Sequence, residues 1–79
     1  MFKPGDRVKV AEILNKDIYE NHRIGWDDAM YRTQGKEGIV QVPYIKQSDA
    51  AVVSIDGDLP WYYLNSDLTL VEGEENATS

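Results

Sequence analysis

Phe2-Lys3-Pro4-Gly5-Asp6-Arg7-Val8-Lys9-Val10 decides how this chain is read. Pro4 fixes its own φ and Gly5 completes a turn, after which Arg7 to Val10 alternate polar and apolar. That period of two is a half-buried strand, with Val8 and Val10 toward a core and Arg7 and Lys9 toward water. The same punctuation recurs downstream. Gly35-Lys36-Glu37-Gly38 is a turn into Ile39-Val40-Gln41-Val42, where Val40 and Val42 face opposite to Ile39 and Gln41. Pro43 ends this strand or places it at an edge, because Pro cannot donate to a ladder. Residues 51–55 form the next strand, and Asp56-Gly57 reads as a type I′ hairpin turn. Trp61-Tyr62-Tyr63-Leu64 returns, Asn65-Ser66-Asp67 turns tightly, and Leu68-Thr69-Leu70-Val71 closes the sheet.

Residues 11–34 carry no such regular pattern. Gly25-Trp26-Asp27-Asp28-Ala29-Met30 reads as a turn into one short helical turn at 27–31, with Asp27 as its N-cap. Trp26 and Met30, four apart, fall on one face of it. A loop this long is unusual in a compact domain, and such loops are often functional. Five short strands, one long first loop and one short helical turn give the order of a small all-β, five-stranded SH3-like barrel over residues 1–71. Residues 72–79, with Glu72, Glu74 and Glu75 and no core former, read as a disordered acidic tail.

Composition limits the function. A chain of 79 residues makes one domain. It buries only about 60% of its unfolded surface, too thin a core for a deep catalytic cavity. With no cysteine there is no disulfide and no thiolate metal site, which fits a reducing cytoplasm. Met1-Phe2-Lys3-Pro4 lacks the apolar core of a signal peptide, and no apolar run approaches the ~20 residues of a membrane span. Eight basic side chains against 14 acidic ones give a net charge of −6. That balance argues against a phosphate-backbone binder, which needs a basic face. It suits plain solubility or a basic partner.

No catalytic constellation is legible. His22 is the only histidine and sits in the polar segment Glu20-Asn21-His22-Arg23, which reads as exposed loop. Asp27-Asp28 and Asp56-x-Asp58 do not fill a Ca²⁺ loop pattern and are accounted for by a cap and a hairpin turn. Gly35-Lys36-Glu37-Gly38 lacks the spacing and the following helix of a phosphate loop. Asn76-Ala77-Thr78 is a glycosylation sequon only in form, since no secretory signal precedes it. The expectation is a non-enzymatic protein with no cofactor, no metal and no membrane span.

The aromatics carry the functional weight. Five Tyr, two Trp and one Phe exceed what a thin core hides. Along the fourth strand, alternation places Trp61 and Tyr63 on one face and Tyr62 and Leu64 on the other. Trp61 is read equally as core or contact, and Trp26 as a packed anchor of the long loop. Tyr19, Tyr31, Tyr44 and Tyr62 are read as exposed contacts, with Pro43-Tyr44 lining a groove beside Tyr62. Trp and Tyr combine large apolar area with a polar tip and concentrate at interfaces. The candidate partner-binding set is therefore Trp26, Tyr31, Tyr44, Trp61 and Tyr62.

The ordered set Phe2-x-Pro4-Gly5-Asp6-x-Val8-x-Val10, Gly25-Trp26, Met30, Gly35-x-x-Gly38-x-Val40, Gly57, Trp61-x-Tyr63 and Leu68-x-x-Val71 resembles the SH3-like repeats of Mind bomb-type ubiquitin ligases and related plant ligases. The resemblance covers about residues 2–71. It implies a non-catalytic repeat that recognises a peptide segment, while a separate RING domain does the chemistry in that family. This chain has no RING cysteines. Similar stand-alone small barrels occur in bacterial and phage proteins, and the start and acidic tail suit such an origin.

Together these readings predict a module that docks an extended protein or peptide segment between the long loop and Trp61-Tyr62-Tyr63. Asp27, Asp28, Asp56 and Asp58 favour a partner with Lys or Arg, mostly through on-rate. A monomer is expected, or a weak homodimer through an Ile39–Val42 edge. Two alternatives stand beside it. One is a KOW-like nucleic-acid-associated protein using Lys3, Arg7, Lys9, Lys36 and Lys46. The other is an acidic inhibitor of a host nucleic-acid-binding protein.

Overall fold

The computed structural model describes residues 2–45 and 49–71, without the side chains of 44 and 45. The expected tail at 72–79 lies outside the described residues. Five strands form one antiparallel sheet: β1 (Arg7–Val10), β2 (Glu37–Ile45), β3 (Ala50–Ile55), β4 (Pro60–Leu64) and β5 (Leu68–Leu70). Their order is β4-β3-β2-β1-β5, so β4 and β5 are the edges. The sheet is not closed as a barrel. The 3-10 turn Asn65–Asp67 carries the chain straight from one edge strand to the other, and no ladder joins them.

β1 alternates as its sequence demands, with Val8 and Val10 buried and Lys9 exposed. It pairs with the start of β2 (Arg7 opposite Ile39) and with β5 (Val8 opposite Leu70). β2 is longer than the expected Ile39–Val42, running through Pro43 to Ile45. Its register against β3 slips twice, between Val40 and Val42 and between Val42 and Ile45. Each slip adds unpaired backbone and bends the strand. The first explains why Val40 is buried while Val42 is 45% exposed, instead of the two sharing a face. The second accommodates Pro43, which has no N–H to give. Ile39 and Val40 do not form a free edge for a second copy. Ile39 sits opposite both Arg7 and Ser54, and Val40 exchanges backbone hydrogen bonds with Gly5 and Asp6.

Close approach of β2 to β3 requires Gly38, since a Cβ there would strike the Ser54 carbonyl oxygen and lie 2.9 Å from Val53 Cγ1. The β3–β4 connection is not a type I′ hairpin. Only Gly57 has positive φ, at 75°, and Asp58 N–H bonds to Ile55 C=O at 2.9 Å. Gly at the third position of such a turn fits type II geometry within a four-residue loop.

The segment before β2 holds more helix than the single turn expected. The short helix α1 (Lys16–Asn21) starts at Asn15, whose side chain accepts from Asp17 N–H at 3.0 Å. It ends with Arg23 N–H on Glu20 C=O and Ile24 N–H on Tyr19 C=O, the paired closure of a Schellman motif. Arg23 occupies the left-handed position at φ 57°, where glycine is usual. A 3-10 helix (Asp28–Thr33) follows, and Asp27 caps it as expected, accepting from Ala29 N–H at 2.8 Å.

This segment supplies Leu14, Tyr19, Ile24 and Met30 to the core, against Val8, Val40, Val53 and Tyr63 from the sheet. Tyr19 is therefore not an exposed contact. It is fully buried. Its hydroxyl donates to Asp67 at 2.8 Å and accepts from Leu64 N–H at 3.0 Å, which satisfies both of its polar functions. Buried Thr33 donates to Met30 C=O at 2.6 Å and meets the Tyr63 hydroxyl at 2.7 Å. No described helix is long and apolar enough to cross a membrane.

Candidate functional site

An open cleft of about 340 Å³ lies between Gly25-Trp26-Asp27 and Pro60-Trp61-Tyr62. One wall is the connection between α1 and the 3-10 helix. The other is the first half of β4. The alternation of β4 turns Tyr63 fully into the core, keeps Trp61 packed at the core margin and leaves Tyr62 47% exposed.

Trp26 is fixed from three directions. Its ring centroid lies 5.2 Å from that of Tyr19 and 5.0 Å from that of Tyr31, both edge to face. Its indole N–H donates to Asp28 at 3.0 Å. Edge-to-face pairs of this kind contribute about 0.5–1.5 kcal/mol each beyond area burial. The Schellman closure at Arg23 reverses the chain just before it, delivering Gly25 and Trp26 to the cleft.

Arg32 ties the two walls together. From the 3-10 helix it reaches the β3–β4 loop and grips Asp58 with two bonds, Nε at 2.8 Å and Nη2 at 3.1 Å. Asp58 also accepts from Leu59 N–H at 2.7 Å, and its side chain is 5% exposed. The Arg32 guanidinium and then the Leu59 amide hold this carboxyl well below the usual carboxylate range. The neighbouring Trp61 Nε1–H adds the weakest pull. It is buried and meets no acceptor in full hydrogen-bond geometry.

Of the five expected contact residues, Trp26, Trp61 and Tyr62 come together in the cleft. Tyr31, 43% exposed, stands behind Trp26 rather than in the lining. The side chain of Tyr44 lies outside the described residues. Three lining residues were not in the set: Gly25, Asp27 and Pro60. The adjacency of Pro60 to Trp61-Tyr62 was the available signal for that residue.

The four aspartates expected to meet a basic partner divide. Asp58 is held by Arg32, and Asp56 pairs with Arg7 at 2.8 Å. Asp27 lines the cleft and Asp28 holds Trp26 beside it. Two of the basic residues of the nucleic-acid alternative have acidic partners. Arg7 bonds Asp56 and Glu37, Lys9 lies 3.7 Å from Glu12, and Lys46 is outside the described residues. His22 is exposed and bonds its own helix through the Ile18 carbonyl. Among the described residues no three His, Cys, Asp or Glu converge on a metal position.

β4 is an edge strand with one side unpaired. Leu64 N–H points away from β3, to Tyr19, while Asn65 N–H points back to Asp49 C=O. The two-residue period of a strand then directs Tyr62 N–H outward as well. Cleft and open backbone edge thus meet at Tyr62. The chain matches no protein-family model, and no curated protein matches it.

Proposed function

We propose that this protein is a non-enzymatic recognition module that docks an extended segment of a partner protein. The observation that carries this reading is the coincidence, at Tyr62, of an aromatic cleft with an unpaired strand edge. Main-chain bonding to an edge supplies affinity, and pockets beside it select alternate side chains. Pro60 at the start of β4 removes one donor and keeps the edge short, which limits self-association. An order of β5-β1-β2-β3-β4 with a long first loop and a 3-10 turn before β5 supports an open SH3-like arrangement. The resemblance to peptide-recognising repeats points the same way.

Capture with tagged protein from host lysate, with and without nuclease, tests the reading. A stoichiometric protein partner that survives nuclease and is lost with Tyr62→Ala is expected, since central aromatic anchors carry about 2 kcal/mol or more of binding. Tyr62 is half exposed, so this variant keeps the fold. Recovery that vanishes on nuclease treatment overturns the reading in favour of nucleic-acid association.

A further inference from the structure

We propose that the cleft seats a cationic side chain, a guanidinium or alkylammonium group carried by the docked segment. This rests on the recognition reading above and specifies its anchor. Among the described lining residues, Trp26, Trp61 and Tyr62 are aromatic, and Asp27 is a carboxylate. Aromatic faces carry negative quadrupole density and attract a cation placed within about 6 Å of the ring centre. Trp26 donates its N–H to the Asp28 carboxylate, which polarises the indole toward a more electron-rich face.

Charge complements the rings. Among the described residues, no Lys, Arg or His lines the cleft. Arg32, on the adjoining 3-10 helix, is committed to Asp58 by two hydrogen bonds. Asp27 spends one oxygen on Ala29 N–H, and its exposed carboxylate lines the cleft. A chain of net charge −6 draws cationic segments toward it. Preorganisation adds to this, because Trp26 is already clamped by two rings and one hydrogen bond and loses little freedom on binding. An aliphatic anchor would gain from the rings alone and draw nothing from the Asp27 carboxylate.

The test follows the two Trp26 and Trp61 indole N–H resonances of ¹⁵N-labelled full chain. Capped pentapeptides Thr-Thr-X-Thr-Thr are titrated, with X as arginine or trimethyllysine. Their neutral isosteres, citrulline and the tert-butyl carbon analogue, serve as controls. The cationic peptides are expected to bind about 5- to 30-fold more tightly than the isosteres. Binding should weaken as salt rises. Asp27→Asn should cut the cationic preference several-fold while leaving the helix start intact, because Asn caps as well as Asp. Equal binding of citrulline and arginine peptides overturns the proposal, as does an unchanged preference in Asp27→Asn, or no shift with any peptide at its solubility limit. If a captured partner depends on Tyr62 but its docking segment tolerates replacement of every Lys and Arg by Gln, the anchor is refuted and the recognition reading stands.

Discussion

Trp61 and Trp26 face one cleft, yet the chain holds them by different means. Trp61 sits in β4 opposite Val53, within a ladder that runs from Ala50–Leu64 to Ser54–Pro60. Many backbone bonds share the work of placing it. Trp26 sits in irregular chain, where Tyr19, Tyr31 and Asp28 place it through three side-chain contacts. The ladder wall is a distributed structure and the loop wall is a concentrated one. Single substitutions should therefore move Trp26 without moving Trp61, whereas the reverse demands loss of strand pairing.

Tyr19 is the strongest lever on that difference. It is a fully buried aromatic that supports Trp26 and clasps the turn between β4 and β5 through Asp67 and Leu64. Tyr19→Ala should cost about 3–5 kcal/mol in urea unfolding, the range for emptying a buried aromatic site. Tyr19→Phe keeps the ring but strips Leu64 N–H and Asp67 of their partner, at about 1–3 kcal/mol. In Tyr19→Phe the Trp26 indole resonance should keep its edge-to-face shift. In whatever fraction of Tyr19→Ala stays folded, it should lose that shift while Trp61 holds. Equal movement of both indoles would erase the distinction between the walls.

Alkali probes the same clasp together with its counterpart on the sheet. Burial, and then the Asp67 contact, raise the Tyr19 phenol far above its ordinary value near 10. Burial pushes the Tyr63 phenol up to about 12. Below about pH 10 both hydroxyls are protonated in either state and stability is unaffected. Above it the unfolded chain sheds these protons while the folded chain keeps them. Stability then falls as pH rises, by up to about 1.4 kcal/mol per pH unit for each tyrosine. For Tyr63 the fall ends once its own folded pKa is passed. Urea midpoints measured from about pH 9 to pH 11.5 should decline, and Tyr63→Phe should flatten the slope. A flat profile would mean that neither phenol is shielded.

The sequence made the sheet legible because strands announce themselves by alternation and turn residues. Val8 and Val10 fell inside as their period required. Where the period was broken by backbone irregularity, the reading failed. Val42 turns outward because of a register slip that no residue type marks, and β2 runs on past Pro43 because a second slip absorbs the missing donor. Tyr19 looked exposed because its neighbours Asp17, Glu20 and Asn21 are polar. A six-residue helix can bury one side chain and leave the rest in water. The cleft was legible on its aromatic side, through Trp26, Trp61 and Tyr62. The Arg32–Asp58 tie between its walls was not, since 26 residues separate two groups that only the fold brings together.

Helix α1 was hidden chiefly by Arg23, and this leads to the smallest effect, which carries the opposite sign. A Schellman closure needs a left-handed residue after the cap, and glycine there would have marked the stop. Arg23 takes that conformation at φ 57°, at a steric cost of about 1–2 kcal/mol for an L-residue. Glycine removes this cost but returns about 0.4–1 kcal/mol through the greater freedom of the unfolded chain. Arg23 is exposed and its side chain takes no part in the cleft. Arg23→Gly should therefore stabilise the protein by about 0.5 kcal/mol, read as a higher urea midpoint at unchanged slope. Because the closure delivers Gly25 and Trp26 to their wall, relief of strain should also sharpen the Trp26 indole resonance and leave that of Trp61 as it was. A lower midpoint would show that Arg23 is held by contacts worth more than the strain, and the loop wall would then depend on more than its three aromatic and polar clamps.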